Sequence, residues 1–231
     1  MSRYIIKFKK EGYLKYTSHL DIMRFFHRTF RRAEMKLLYS QGFNPHPKMS
    51  IAQPLSLGYT STGDYIEIET EAHLDLDNTF SALNRLMPLG MEVVCIKAIG
   101  QGKKTLAALV EYGEYEVTMD EKYMHVGPII ETFMQQDKIE VKKLQRKTGI
   151  ESIIDIKPMI YSLGYESFDN NIILTMIIRN GSHSNLNPEL LLQALLEFSK
   201  FEDEFTGIEI NRKELYYNDE GRLTKLENFN C

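Results

Sequence analysis

The chain has 231 residues, 43% of them hydrophobic and 26% charged, with a formal net charge of −4. That is enough for one large domain or two small ones. No apolar run approaches the ~18 residues of a membrane-spanning helix, and "MSRYIIKFKKEGY" has no apolar stretch of signal-peptide length, so a cytoplasmic protein without membrane association is expected.

In chain order, Arg3–Lys10 alternates polar and apolar residues and reads as a strand. Ser18 can cap the helix that follows, with Asp21 at a position where a carboxylate suits a helix start. At 100° per residue, Ile22, Met23, Phe26, Phe30, Ala33 and Leu37 share one apolar face. "MSIAQPLSLG" follows, then "DYIEIET", an alternating strand. Residues 76–87 have helical spacing and stop at Pro88, and "MEVVCIKAI" is a strand with a buried look. The order is β-α-β-β-α-β.

The second half repeats that order. "YEVTM" (115–119) is strand-like, residues 122–136 can be a helix, and "KIEVKKLQ" is a strand. An extra element lies between residues 149 and 170, read as a short helix around "DIKPMIYSL". "NIILTMIIR" is a strong strand, Pro188 opens a helix running to about Phe201, and "GIEINRKELYY" closes as a strand. A β-α-β-β-α-β order is the ferredoxin-like arrangement of helices on one face of an antiparallel sheet. The expectation is an α+β protein of two tandem ferredoxin-like halves, residues 1–100 and 105–231, meeting near "GQGKKT".

Charge is unevenly spread. Residues 1–50 hold 11 Lys+Arg and 3 Asp+Glu, a balance of +8 inside an acidic chain. Such a basic face can bind nucleic acid, phosphate or an acidic protein surface, or be only a solvated face. On the helix wheel, Arg24, Arg28 and Arg31 form a ridge opposite the apolar stripe, with Arg32 at its edge. Guanidinium forks suit phosphate oxygens. After Gly42, Pro45 and Pro47 stiffen "FNPHPK", so Asn44, His46 and Lys48 project from an extended segment. Tyr39 and Phe43 add aromatic faces on which a base could stack, although for Phe43 the core reading is favoured. Lys142–Lys147 is a second basic run, of the kind usually found on a solvated edge.

Catalytic and cofactor signals are sparse. Asp21 and Asp64, with His46, are the candidates for acid–base work, and capping alone explains Asp21. Cys95 and Cys231 lack partners at metal-ligand spacing, and the six histidines form no HxxxH or HExxH pattern, so no metal is expected. No phosphate-binding glycine loop, nucleophile elbow or iron–sulfur cysteine motif is present, so no cofactor is expected either.

The stretch "SHLDIMRFFHRTFRRAEMKLLYSQGFNPHPKMSIAQPLSLGYTSTGDYIEIE" resembles the signature of the bacterial radical SAM-linked protein family. The resemblance continues in "GIESIIDIKPMIYSL", "IIRNGSHSNLNPELLL" and "INRKELYY". Members of that family of unknown function stand alone or are fused to the end of a radical SAM protein. The resemblance implies a separate radical SAM partner and supplies no reaction, substrate or catalytic residue. Three roles stay open: a module that binds RNA or a partner enzyme's substrate, an RNA-modifying or RNA-processing enzyme, and a protein-interaction subunit.

Overall fold

The computed structural model describes residues 2–100, 104–144, 151–201 and 206–229. Cys231, residues 145–147 of the basic run and residues 101–103 of the expected junction lie outside them. In chain order the elements are β1 (Ser2–Lys10), α1 (His19–Arg32), β2 (Met49–Ile51), β3 (Thr60–Thr70), α2 (Leu76–Asn84), β4 (Met91–Ile99), α3 (Leu106–Leu109) and β5 (Tyr112–Met119). Then come α4 (Ile130–Gln135), β6 (Glu140–Leu144), β7 (Glu151–Asp155), β8 (Ile160–Phe168), β9 (Asn171–Arg179), α5 (Pro188–Phe198), β10 (Ile208–Asp219) and β11 (Arg222–Lys225). The fold is mixed, with mostly antiparallel strand pairing. It comprises two compact units: Met1–Glu111 with Asn211–Cys231, and Tyr112–Ile210.

In the first unit β1 is central. It pairs antiparallel with β3 (Ile5 opposite Glu67) and with β4 (Ile5 opposite Lys97). β2 runs antiparallel to the other side of β3, and β10 joins β3 in parallel through Asn211–Thr60 and Arg212–Ser61. β1 is buried along almost its whole length, which explains its apolar residues on both faces. Tyr4, Ile6 and Phe8 pack with Ile22, Phe26 and Phe30 of α1 and Leu83 of α2. Ile5 packs with Tyr65, Leu106, Leu215 and Leu226. Phe8, Phe26 and Phe30 also touch as rings, with centroids 4.7 and 5.6 Å apart, within the range of favourable aromatic pairs.

Charges are buried in this unit too. Arg3 is paired with Glu67, which also accepts from the Leu106 amide at 2.8 Å. Lys7 Nζ donates to Glu214 Oε2 at 2.7 Å and Glu227 Oε2 at 2.8 Å, and the Tyr65 hydroxyl donates to Glu214. Burial alone would lower the Lys7 pKa, but the two carboxylates more than offset it and hold the ammonium above its ordinary value. Burial, with Glu214 beside the ring, pushes the Tyr65 phenol up. Burial likewise raises the Cys95 thiol, which keeps it protonated.

Three local expectations change. α1 stops at Arg32, Ala33 is its C-cap, and Glu34 has a positive φ of 56°. Leu37 therefore reaches the core through a bridge to Thr70, not as the last residue of a helical stripe. β4 has the alternating burial of an edge strand, with Val94 exposed.

In the second unit β9 pairs antiparallel with β5 and β8. Ile172, Leu174, Met176 and Ile178 of β9 are fully buried. The expected helix at 122–136 is a 3-10 segment, Glu121–Ile129, running into α4, because Pro128 interrupts it. The described residues 151–170 hold a 3-10 turn between two strands and not the helix expected there. "DIKPMIYSL" spans the end of β7, a 3-10 turn at Lys157–Met159 and the start of β8. Pairing with β9 overrides the helical spacing of that stretch. β6 pairs with β7 as a separate hairpin, so β8, not β6, lies beside β9. Asn187 caps α5 by accepting from the Glu189 amide, with Pro188 in the first turn.

Candidate functional site

The arginine helix starts as its sequence dictates. Ser18 Oγ accepts from the Asp21 amide at 3.2 Å and donates to Asp21 Oδ2 at 2.7 Å. Arg24 Nη1 donates to Asp21 Oδ1 at 3.0 Å. The Ser18 hydroxyl first, and then Arg24, hold the Asp21 carboxyl below its ordinary range. Ser18 is thus the cap, and Asp21 is an exposed, ionised residue of the first turn.

Ile22, Phe26, Thr29 and Phe30 anchor α1 to the sheet. The opposite face leaves Arg24, Arg28, Arg31 and Arg32 exposed. Among the described residues, Arg28, Arg31 and Arg32 have no ion-pair or hydrogen-bond partner for their side chains; Arg24 alone of the four is paired. Like charges at i,i+3 and i,i+4 repel, and a bound anion relieves that cost.

Beyond α1 the chain forms a protruding hairpin. The Leu38 amide donates to the Glu69 carbonyl at 2.8 Å, the Lys48 amide to Leu38 at 2.7 Å and the Ser40 amide to His46 at 2.8 Å. Tyr39 bridges Pro47, and the His46 amide donates to Ser40 Oγ at 3.0 Å. These bonds close a tip of residues 41–45 whose stiffness the two prolines reinforce. Phe43 is not core. It is fully exposed at that tip, because the ladder of the hairpin carries it away from the sheet. Asn44 and His46 are exposed nearby. Lys48 is exposed but neutralised by Glu69 at 2.8 Å.

Ridge and hairpin meet at Tyr39. Tyr39 is 46% exposed, and its hydroxyl lies 3.3 Å from His27 Nε2 on α1. Beside it is a groove of about 360 Å³ lined by Arg31, Met35, Lys36, Leu37, Tyr39 and Glu71. The structure therefore joins Arg31 and Tyr39 directly and sets Asn44 and His46 further out on the loop. Lys36 and Glu71 went unnoticed in the sequence: neither belongs to a periodic pattern, and their proximity depends on the amide of Glu71 bonding the carbonyl of Lys36 at 3.0 Å.

Asp64 occupies another place. It is 4% exposed, and its Oδ1 accepts from Ser61 Oγ at 2.6 Å and from Arg212 Nε and Nη2 at 2.9 and 2.7 Å. It lines a crevice of about 10 Å³, room for one water, with Phe8, Lys10, Thr17, His19, Ile22, Ile51 and Leu55. His19 Nδ1 is buried there without a partner among the described residues. Lys10 is buried beside it, and desolvation lowers its pKa despite the nearby Asp64. Sequence spacing hid this cluster, since Lys10, Asp64 and Arg212 come from three strands. Asp21 held by Ser18 and Arg24, Asp64 engaged by Arg212 and His46 out on the loop are not brought together, so they make a poor acid–base set. A row of unpaired guanidiniums beside an aromatic groove suits a polyanion carrying flat rings.

Residues 3–188 match the model of a family described as an uncharacterized protein conserved in bacteria (DUF2344). No curated protein matches the chain. Among solved structures, a chain in a Cbf5-Nop10-Gar1 complex is similar with a TM-score of 0.50 at 11% identity, covering 94% of this chain and 50% of that one. This chain thus spans about half the length of that neighbour, and the likeness is one of fold. An unknown protein from Galdieria sulphuraria matches at a TM-score of 0.27 and 13% identity, over 91% of this chain and 96% of that one, too low to bear on the fold.

Proposed function

The chain belongs to the DUF2344 family, uncharacterized proteins conserved in bacteria, and we propose that it is an RNA-binding module. The observation that carries this reading is the row of unpaired guanidiniums of Arg28, Arg31 and Arg32 on α1, next to the Tyr39 groove. Asn44, His46 and Lys48 extend the surface along the hairpin. An enzymic reading has less support, since Ser18 and Arg24 hold Asp21 ionised and Arg212 engages Asp64.

The radical SAM partner rests on the sequence resemblance alone. With it goes a role in which this chain presents RNA or another substrate to that enzyme. No helix among the described residues is long and apolar enough to cross a membrane, which is compatible with a cytoplasmic setting. In the first unit the neighbours β4-β1-β3-β2, with α1 and α2 packed on one face, support a ferredoxin-like half. The second unit supports it less, because β8 stands beside β9.

RNA affinity measured between 50 and 200 mM salt tests the reading. With three or four phosphates neutralised, log K should fall with a slope of roughly −2 to −3 against log salt. Arg24→Glu/Arg28→Glu/Arg31→Glu should remove most of the binding. A salt-independent affinity, or a triple variant that binds like the wild type, contradicts it. A wild type free of nucleic acid that captures an acidic protein through the same arginines would instead make this face a protein-docking surface.

A further inference from the structure

We infer that the surface selects single strands: one unpaired base enters the groove and stacks on Tyr39, and Phe43 stacks a second. The inference rests on the nucleic-acid reading above and names its substrate class.

The groove, at about 360 Å³, lies at the small end of ligand sites. Its chemistry divides by position. Arg31 and Lys36 supply positive charge, Met35 and Leu37 are buried apolar residues at its wall, and Tyr39 lines it as a partly exposed aromatic residue. Glu71 adds a carboxylate. A carboxylate repels phosphate but accepts from base N–H groups, so the groove suits a base while the phosphates follow Arg28, Arg31 and Arg32.

The Tyr39 ring is already positioned. Its backbone is bridged to Pro47 and its hydroxyl meets His27, so little ordering entropy remains to be lost on binding. Phe43, on the same stiffened hairpin, is fully exposed, so its ring is open to a base. Ring faces are of little use against a duplex, where bases show only their edges. They serve single strands, whose unstacked bases have free faces.

The test measures fluorescence anisotropy with an unstructured RNA of roughly 12 nucleotides, a length within the usual span of such sites, and with its duplex. The proteins are the wild type, Tyr39→Ala/Phe43→Ala, Tyr39→Phe and Arg28→Glu/Arg31→Glu. The expected result is a wild type that binds the single strand at least roughly tenfold tighter than the duplex. The double aromatic variant should lose roughly 5- to 150-fold per stacked base on the single strand, with duplex affinity and salt slope unchanged. Tyr39→Phe, which keeps the ring and loses only the contact to His27, should lose far less than the double aromatic variant, and the arginine variant should lose both ligands. Equal affinity for the two forms, or an aromatic variant that binds like the wild type while the arginine variant fails, overturns the stacking inference and leaves RNA binding standing. A wild type that binds neither form overturns both.

Discussion

The side chains most revealing about this protein are buried charges. Lys10 is 3% exposed, and desolvation lowers its pKa below the ordinary 10.5 even with Asp64 near enough to favour the ammonium. A base with a lowered folded pKa holds fewer protons in the native than in the unfolded chain between those two values, so stability rises with pH through that window. Below that window both states are protonated and the whole burial penalty is present. Lys10→Met should therefore raise the urea midpoint at pH 7, and its advantage should narrow by pH 10. An equal gap at both pH values would show that the gain is packing and not charge. Of the expected site residues, the arginines are where the helix wheel put them, because a 3.6-residue period with Phe26 and Phe30 inward fixes what faces outward. Phe43 went the other way. Side-chain hydrophobicity argues for burial, and only the cross-hairpin bonds of Tyr39, Ser40, His46 and Lys48 show that the tip leaves the body.

At the scale of elements, strands with strong local patterns were legible and those defined by partners were not. β1, β3 and β9 announce themselves through alternation or continuous apolar residues. β7 and β8 do not, since their residues carry helix-like spacing and become strands only by pairing, β8 against the buried ladder of β9. The approach of β10 to β3 is equally invisible locally, yet it leaves a mark at Gly63. A Cβ there would lie 2.2 Å from the Lys213 carbonyl oxygen and 2.9 Å from the Glu214 Cα. Both contacts are backbone and cannot swing aside, so Gly63→Ala should force β3 and β10 apart and cost about 3 kcal/mol or more. Gly164→Ala in β8, where nothing lies within 4 Å, is the matched control and should change stability by under about 1 kcal/mol. Thermal unfolding of the two variants side by side checks this, and equal effects would contradict the close approach.

At the scale of the molecule, the first unit is discontinuous in sequence. Residues 211–231 pack with residues 1–111 and bring Arg212 to Asp64, and Glu214 and Glu227 to Lys7. Arg212 is fully buried and also donates to the carbonyls of Gln53 and Pro54. Removing one partner of a buried ion pair typically costs about 3–5 kcal/mol. Arg212→Met should thus lower stability by about that much, and a chain cut after Ile210 should lose the native circular dichroism of the first unit. A truncated chain that keeps its near-ultraviolet spectrum would show these buried charges to be dispensable. Both partners of each pair are separated by more than a hundred residues, so no window of sequence could have matched them. The returning strand also sets a timetable. During translation the arginine helix emerges early, but the core beneath it lacks its countercharges until β10 has left the ribosome. A chain stopped before β10 would therefore display the basic residues without the frame that Arg212 and Glu214 complete.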